Sequence, residues 1–344
     1  MRSVQMVAHR TLEERPMPMP RDPGPGEVLV KIKAVGICGS DMHWYLEGGI
    51  AEHRAVMPQV LGHEPAGIVE AVGAGVHHLH PGDRVAVEPA VTCGECEPCR
   101  NGRHNLCLHS LFMGTPQIPG LFREYATMPA HNAVAVPRDM SFSDATVIEP
   151  VSVILHVMEL TPIQIGETVA VIGAGPIGYL TAMMARISGA SKVFVTDKLD
   201  HRLQIAKTAG VDEVLNIEKQ STSEWVLDLT RGRGVDVVFD CAAAPATLDT
   251  AVSLARAGGR VVLIGLPSVP RTRFDLFAAM HKELNIQTVK RSNHNAAGAI
   301  ELIRAGRIPM QFVTHHYPLE QTPRAFETLA AYADNIGKAI IEIP

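Results

Sequence analysis

Apolar and polar positions along this chain change rhythm once, near residue 150. Before that point the apolar positions come in short alternating runs separated by Pro and Gly. Glu27-Val-Leu-Val-Lys-Ile-Lys-Ala-Val35 alternates with period two and reads as a half-buried strand. Ala66 to Val72, Arg84-Val-Ala-Val-Glu88, Phe122 to Met128 and Ala133 to Val136 read the same way, the last stopped by Pro137. Pro23-Gly-Pro-Gly26 and His80-Pro-Gly-Asp83 supply turns between them. Many short strands at this spacing predict a β-barrel-like domain.

After residue 150 the pattern changes, and strands alternate with helical stretches. Thr168 to Ile172 and Val235 to Cys241 read as buried strands, and Lys192 to Asp197, Asp212 to Ile217, Arg260 to Gly265 and Leu284 to Val289 bring the number of strands to six. Tyr179 to Ser188, Leu199 to Ala209, a segment opened by the capping box Ser221-Thr-Ser-Glu224 and running to about Thr230, and Thr247 to Ala257 read as helices. This alternation predicts an α/β fold with a doubly wound, six-stranded parallel sheet. Beyond Val289 a helix is expected from about Asn295 to Ala305, then strand-like runs at Phe312 to His316 and Lys338 to Ile343 that return to the first domain. The expected organisation is a discontinuous domain of residues 1–150 and 290–344, with a nucleotide-binding domain of residues 151–289 inserted.

Composition narrows the function classes. The 344 residues suffice for two domains, and 46% apolar with 19% charged residues excludes a disordered chain. No apolar run reaches the ~20 residues of a membrane span, and Met1-Arg-Ser-Val-Gln-Met lacks a signal-peptide core, so a cytoplasmic protein is expected. A net charge of −5 without a Lys/Arg cluster argues against a nucleic-acid partner. In a reducing compartment the clustered cysteines among the six present read as metal ligands before disulfides.

Cys93-Gly-Glu-Cys96-Glu-Pro-Cys99 followed by Cys107 gives C-x2-C-x2-C-x7-C. Four thiolates on one loop can close around a tetrahedral zinc and leave no open position, which reads as a structural site. An iron–sulfur cluster uses similar ligands, but no Pro follows Cys107 and no second cluster motif occurs. A nucleic-acid-binding zinc module is disfavoured because Glu95 and Glu97 offset Arg100 and Arg103. A second constellation is Cys38-Gly-Ser40-Asp41-Met-His43 with Gly62-His63-Glu64: thiolate, imidazole and carboxylate are the ligand types zinc accepts, and a catalytic site leaves one position open. Alone, these residues equally suit a buried thiol and a satisfied histidine; Cys241, ending a strand, reads as core.

Gly173-Ala-Gly175-Pro176-Ile-Gly178 follows a strand, opens a helix and precedes an acid, Asp197, by 19 residues. The glycines permit the turn and the approach of a pyrophosphate to the helix N-terminus, and Pro176 suits the first helical turn. Asp197 would accept from ribose hydroxyls and repel a 2′-phosphate, favouring NAD over NADP. Lys198 and Arg202 read mainly as solvated charges, with Arg202 kept among the cofactor-side residues.

With these motifs in this order, the chain resembles the zinc-dependent medium-chain dehydrogenases over essentially its whole length, and within them the sorbitol/xylitol (polyol) dehydrogenase branch. The position of Glu149 usually carries a cysteine ligand in the related alcohol dehydrogenases; here Glu149-Pro150, together with Val289-Lys-Arg-Ser-Asn293 and Val313-Thr-His-His-Tyr-Pro-Leu-Glu320, looks like the polyol branch. The resemblance implies a GroES-like barrel beside a Rossmann domain, two zinc ions per chain and NAD. It implies catalytic zinc on Cys38, His63 and Glu64, with Glu149 reaching the metal directly or through a water. It puts Arg291 near cofactor and substrate, and Ile177, Ile264, Gly265 and Leu266 along the NAD site. A homotetramer is expected. Two departures bear on the substrate: the four-cysteine loop is retained although some of this branch lack it, and Trp44 and Ser292 stand where tyrosines line the family's cleft.

The expected reaction is reversible oxidation of a secondary hydroxyl of a sugar alcohol to a ketose, with a hydride passed to NAD. Ser40 is the expected first proton acceptor, with His43 the way out to solvent and Glu149 the alternative base. A vicinal diol, L-threonine or a simple alcohol is the alternative substrate. A non-enzymatic nucleotide-binding protein is the rival class, disfavoured by the joint presence of Cys38, His63, Glu64 and Glu149.

Overall fold

A computed structural model describes residues 1–344, which form two compact units. The first comprises Met1–Ser152, Ser292–Gly306 and Val313–Pro344; the second comprises Val153–Arg291 and Arg307–Phe312. Residues 307–312, expected with the first domain, thus belong to the second. Tyr179 accounts for this: its ring stacks on Phe312 at 4.8 Å and its hydroxyl donates to the Pro309 carbonyl at 2.8 Å.

The first unit is built on β1 (Glu27–Gly36), whose inward residues Val28, Val30 and Ile32 are fully buried while Lys31 and Lys33 are not. In the sequence Gly36 and Gly39, either side of Cys38, mark a turn after it; the structure instead starts a helix there, α1 (Gly39–Glu47). The local reason is a cap: Asp41, three residues into the turn, accepts from the Cys38 backbone N–H at 3.0 Å. Gly48, at φ 68°, ends the helix. β2 (Glu64–Val72) runs antiparallel to β1, with Glu64 opposite Gly36. β3 (Arg84–Val87), β4 (Tyr125–Pro129) and β5 (Ala133–Ala135) extend the sheet, with β4 on β1 and β5 on β3. α2 (Ile148–Leu160) begins in this unit and carries Glu149 in its first turn.

In the second unit β6 (Thr168–Ile172) leads into α3 (Pro176–Ile187), then β7 (Lys192–Asp197), β8 (Glu213–Asn216) and β9 (Val235–Asp240). The helix expected to reach Ala257 stops at Leu254: α4 is Thr247–Leu254, and β10 (Ala255–Leu263) starts at once. Lys282 closes the end of α4, its ammonium donating to the carbonyls of Val252, Ser253 and Ala255 at 2.9 Å each. β11 (Asn285–Thr288) is the last strand. All six strands are parallel, in the order β8-β7-β6-β9-β10-β11. The strand order reverses at β6, which is the ligand-binding switch point of a doubly wound sheet.

The chain then returns to the first unit. β12 (Val313–Pro318) pairs parallel with β13 (Lys338–Glu342), and β13 lies antiparallel on β1 with Ile340 opposite Gly36. Between them lies a helix, Thr322–Ala331, that period-two reading of the tail did not predict. The finished sheet runs β5-β3-β2-β1-β13-β12.

Candidate active site and metal centres

Cys38 sits at the N-cap of α1, and His63 and Glu64 sit where a Gly62 turn enters β2. Gly62 has φ 90°, and a Cβ there would lie 3.1 Å from the Phe122 ring, so both backbone and packing call for glycine. The ligand atoms of Cys38, His63 and Glu64 all lie within 4.8 Å of one another, and His63 and Glu64 are buried.

Two groups that the sequence reading passed over hold this trio. Asp41, fully buried, accepts from the backbone N–H groups of Cys38 and Gly62 at 3.0 Å and pairs with His63 Nδ1 at 3.4 Å. That leaves Nε2 of His63 for a metal, the arrangement in which a carboxylate orients a ligating imidazole. Burial favours the neutral Asp41 acid, but the His63 ring and the two N–H groups outweigh it and hold its pKa below the usual value. His63 is likewise raised well above its ordinary value: burial opposes the cation, and Asp41 and Cys38 overcome it.

The second group is Lys338, on β13. Its ammonium pairs with Glu64, and the side chains are 2% and 1% exposed. Gly36 makes room for them: a Cβ there would lie 2.2 Å from Glu64 Oε2 and 3.1 Å from Lys338 Cε. Glu149 stands outside the tight trio but feels it. Burial first, and then the charge of Glu64, push its pKa up to about 7, against the lowering effect of His63 and Lys338. Ser40 Oγ lies 3.2 Å from His63 Nε2, and His43 Nδ1 lies 2.9 Å from Glu47 Oε1 one turn along α1. Trp44, expected to line the substrate cleft, is 5% exposed and packs in the apolar core of the first unit.

Cys93, Cys96, Cys99 and Cys107 form the second cluster. Cys107 Sγ lies 3.5 Å from Cys93 Sγ and 3.9 Å from Cys96 Sγ. These separations bracket the ~3.8 Å edge of a tetrahedron with ~2.3 Å zinc–sulfur bonds and are far beyond a disulfide's ~2.05 Å. The backbone N–H groups of Cys93 and Cys96 point at sulfurs, each at 3.4 Å. Donation from the N–H groups of Leu108 and Cys99 pulls the Cys96 thiol down to about 6. Burial and the neighbouring sulfurs push Cys99 up to about 12. Four thiolates can coexist here only around a cation, so the donor set fits zinc.

In the second unit the glycine loop fits a dinucleotide. Gly173 has φ 96°, and a Cβ on Gly178 would lie 1.8 Å from the Gly173 carbonyl oxygen, so helix and strand meet only with glycine there. A Cβ on Gly175 would meet only Arg202 Nη1, at 3.6 Å, which leaves open space over the N-terminus of α3, where Pro176 and Ile177 lie, and brings Arg202 to the loop. Asp197 accepts from the N–H groups of Ala174 at 2.7 Å and Leu199 at 2.9 Å, tying the loop to the end of β7. The N–H groups of Ile264 and Gly265 donate to the Asp240 carbonyl, and Leu266 is 45% exposed. Arg291, at φ 58°, ends the first of the two segments of the second unit. Cys241 takes no part: burial pushes its thiol up to about 12, beside Thr181.

A GroES-like barrel bearing a Cys-His-Glu centre and a four-cysteine loop, with a doubly wound dinucleotide unit, defines a zinc-dependent dehydrogenase. Residues 24–138 match the alcohol dehydrogenase GroES-like domain, and residues 176–305 match the zinc-binding dehydrogenase family. The chain is 37% identical to sorbitol dehydrogenase of Bacillus subtilis over 342 residues, covering 99% of this chain and 97% of that one. It is 37% identical to L-idonate 5-dehydrogenase of Vitis vinifera over 332 residues, covering 94% and 90%. Among solved structures, alcohol dehydrogenase TADH from Thermus sp. ATN1 superposes with a TM-score of 0.92 at 30% identity, covering 100% of both chains. The chain belongs to the zinc-dependent medium-chain dehydrogenases, on their polyol dehydrogenase branch.

Proposed function

We propose that this enzyme oxidises a secondary hydroxyl of a sugar alcohol (sorbitol, xylitol or L-iditol) reversibly to the ketose, with NAD as the hydride acceptor. The observation that carries the reading is the meeting of Cys38, His63 and Glu64 within 4.8 Å in a chain of this family. In this reading the first unit holds both zinc ions and the polyol, and the second holds NAD through Gly173, Gly175, Gly178 and Asp197. Cys38, His63 and Glu64 hold the catalytic zinc, with Glu149 close by, and the four cysteines hold the structural one. When bound, the catalytic zinc supplies Lewis acidity to the hydroxyl oxygen, and the nicotinamide supplies the redox capacity.

The protein's own part is positioning and proton transfer. Asp41 fixes the His63 ring. Lys338 pairs with Glu64 and orients it in a buried site. Ser40, beside His63, takes the hydroxyl proton, and His43, 22% exposed at its side chain, passes it to solvent with Glu47 as its partner. Asp197 selects NAD over NADP by repelling a 2′-phosphate.

The proposal extends to a cytoplasmic enzyme working as a homotetramer. Exposed Leu276, Phe277 and Met280, just ahead of the edge strand β11, support pairing with a second copy, which size-exclusion chromatography with light scattering tests. No helix is long and apolar enough to cross a membrane.

The test of function is NADH formation on a panel of polyols, 2,3-butanediol, L-threonine and ethanol with either cofactor, with metal content read on the same sample. Polyol turnover with NAD and about two zinc per chain is the expected result. Turnover on the diol or threonine alone would overturn the substrate class and leave the zinc chemistry.

A further inference from the structure

One side chain fastens the returning segment of the first unit to the four-cysteine loop. Asn293 Oδ1 accepts from the backbone N–H of His104 at 3.0 Å, and its Nδ2 donates to the Gly102 carbonyl at 2.8 Å. Both partners lie between Cys99 and Cys107. The next residue, His294, meets the His104 ring edge-on, with centroids 4.2 Å apart, from a left-handed backbone at φ 62°. On the other side of Asn293, Ser292 is 7% exposed and donates to Glu88 Oε1 at 2.9 Å. Glu88 is itself anchored: its carbonyl accepts from Asn132 Nδ2 at 2.7 Å. Ser292, Glu88, Ser152 and Glu149 line one cavity of about 10 Å³.

We infer that Asn293 is a positioning residue: it couples the metal-held cysteine loop to the wall of the pocket beside Glu149, so the loop sets the shape of the polyol site. Bonds run without a break from the loop backbone through Asn293 to Ser292 and Glu88. Gly102 lies between two short helical turns, Glu97–Arg100 and His104–Leu106, and His104 begins the second, in a segment with no sheet ladder of its own. Local turn hydrogen bonds, such as Gly102 N–H to the Cys99 carbonyl and Cys107 N–H to the His104 carbonyl, shape it, and a metal on the flanking cysteines would fix both its ends. Asn293 passes that fixity to a segment whose neighbour, Ser292, reaches the cavity through a single short hydroxyl. A pocket wall that drifts by a fraction of an ångström weakens every contact made against it.

This inference rests on the polyol dehydrogenase reading and is tested on the zinc-loaded enzyme with Asn293→Ala and Asn293→Asp. The aspartate keeps the acceptor for His104 and loses the donor to Gly102. Amide hydrogen exchange over residues 99–107 is measured beside steady-state kinetics. For Asn293→Ala the polyol KM is expected to rise about tenfold, the effect of losing one or two fixing hydrogen bonds, with kcat within about twofold. Asn293→Asp falls between it and the parent. The KM for NAD stays unchanged, because the residues assigned to NAD lie in the other unit. Exchange at the His104 amide speeds up in Asn293→Ala and stays near the parent rate in Asn293→Asp, which keeps its acceptor. An unmoved polyol KM, or an equal rise in both KM values, overturns the inference; a lowered Tm alone would make Asn293 merely structural. If the parent turns over another alcohol class instead, KM is read on that alcohol. The polyol reading then fails by itself, while the exchange data still decide whether Asn293 holds the loop.

Discussion

Two buried charged residues, Asp41 and Lys338, flank the Cys38, His63 and Glu64 trio. Asp41 orients His63, and such supporting carboxylates are worth ~10–100-fold in metal affinity. Asp41→Ala is therefore expected to keep the fold and lose zinc from the Cys38 site at chelator concentrations the parent withstands, read by a competition titration. Lys338 is different, because removing one member of a buried pair strands the other. Lys338→Met leaves Glu64 charged without a partner, and a loss of about 3–5 kcal/mol in urea unfolding is expected. Adding Glu64→Gln should restore much of it, and failure to do so would mean that Lys338 acts elsewhere. The two residues differ in legibility. Asp41 stands three residues after Cys38, a capping position visible in the sequence and not used there. Lys338 has no local signal, for it is 274 residues from Glu64 and arrives only through strand pairing.

At the scale of the element, strands were easier to read than helices. The six runs of the second unit all form strands; in the central ones, such as Val169 to Ile172 and Val235 to Asp240, burial on both faces writes near-continuous hydrophobicity, while the edge strands Glu213–Asn216 and Asn285–Thr288 are more polar. Helix α1 was missed because nine residues flanked by glycines look like a turn until the Asp41 cap is seen. The sheet of the second unit has its own buried acid. Asp236 accepts from the N–H and hydroxyl of Thr168 at 2.9 and 2.8 Å, and from Arg233 and Arg256 at 2.6 Å each. Burial raises its pKa, and these donors, Arg233 foremost, bring it below the usual carboxylate value. A folded pKa below the unfolded one contributes stability that is complete above about pH 4 and is lost as pH falls toward the folded value. Asp236→Asn should lower stability by about 1–3 kcal/mol at pH 7. The gap between variant and parent should narrow as pH falls below 4, read by thermal unfolding across pH. A gap independent of pH would assign the loss to hydrogen-bond geometry alone.

At the scale of the whole molecule, the residues assigned to metal and to nucleotide lie in separate compact units. Binding and chemistry should then separate by mutation. Cys38→Ser is expected to lose at least about a thousandfold in kcat, from loss of the metal's transition-state stabilisation, while NAD affinity by fluorescence quenching changes less than about twofold. A parallel loss of NAD affinity would show that the two units do not act independently.

The sequence by itself determined the class of fold and marked two sets of potential metal ligands. Strand periodicity, the glycine loop and cysteine spacing are local patterns, each complete within a few tens of residues. The tertiary structure decided what surrounds those sets. Sheet pairing sets Lys338 and Gly36 around Glu64; residues 307–312 join the second unit through Tyr179; Asn293 reaches the cysteine loop across 189 residues of chain. Trp44, placed by analogy in a cleft, is drawn into the core because its position on α1 faces the packed interior. Such contacts cost loop-closure entropy that only the assembled core offsets, so no local stretch of sequence records them.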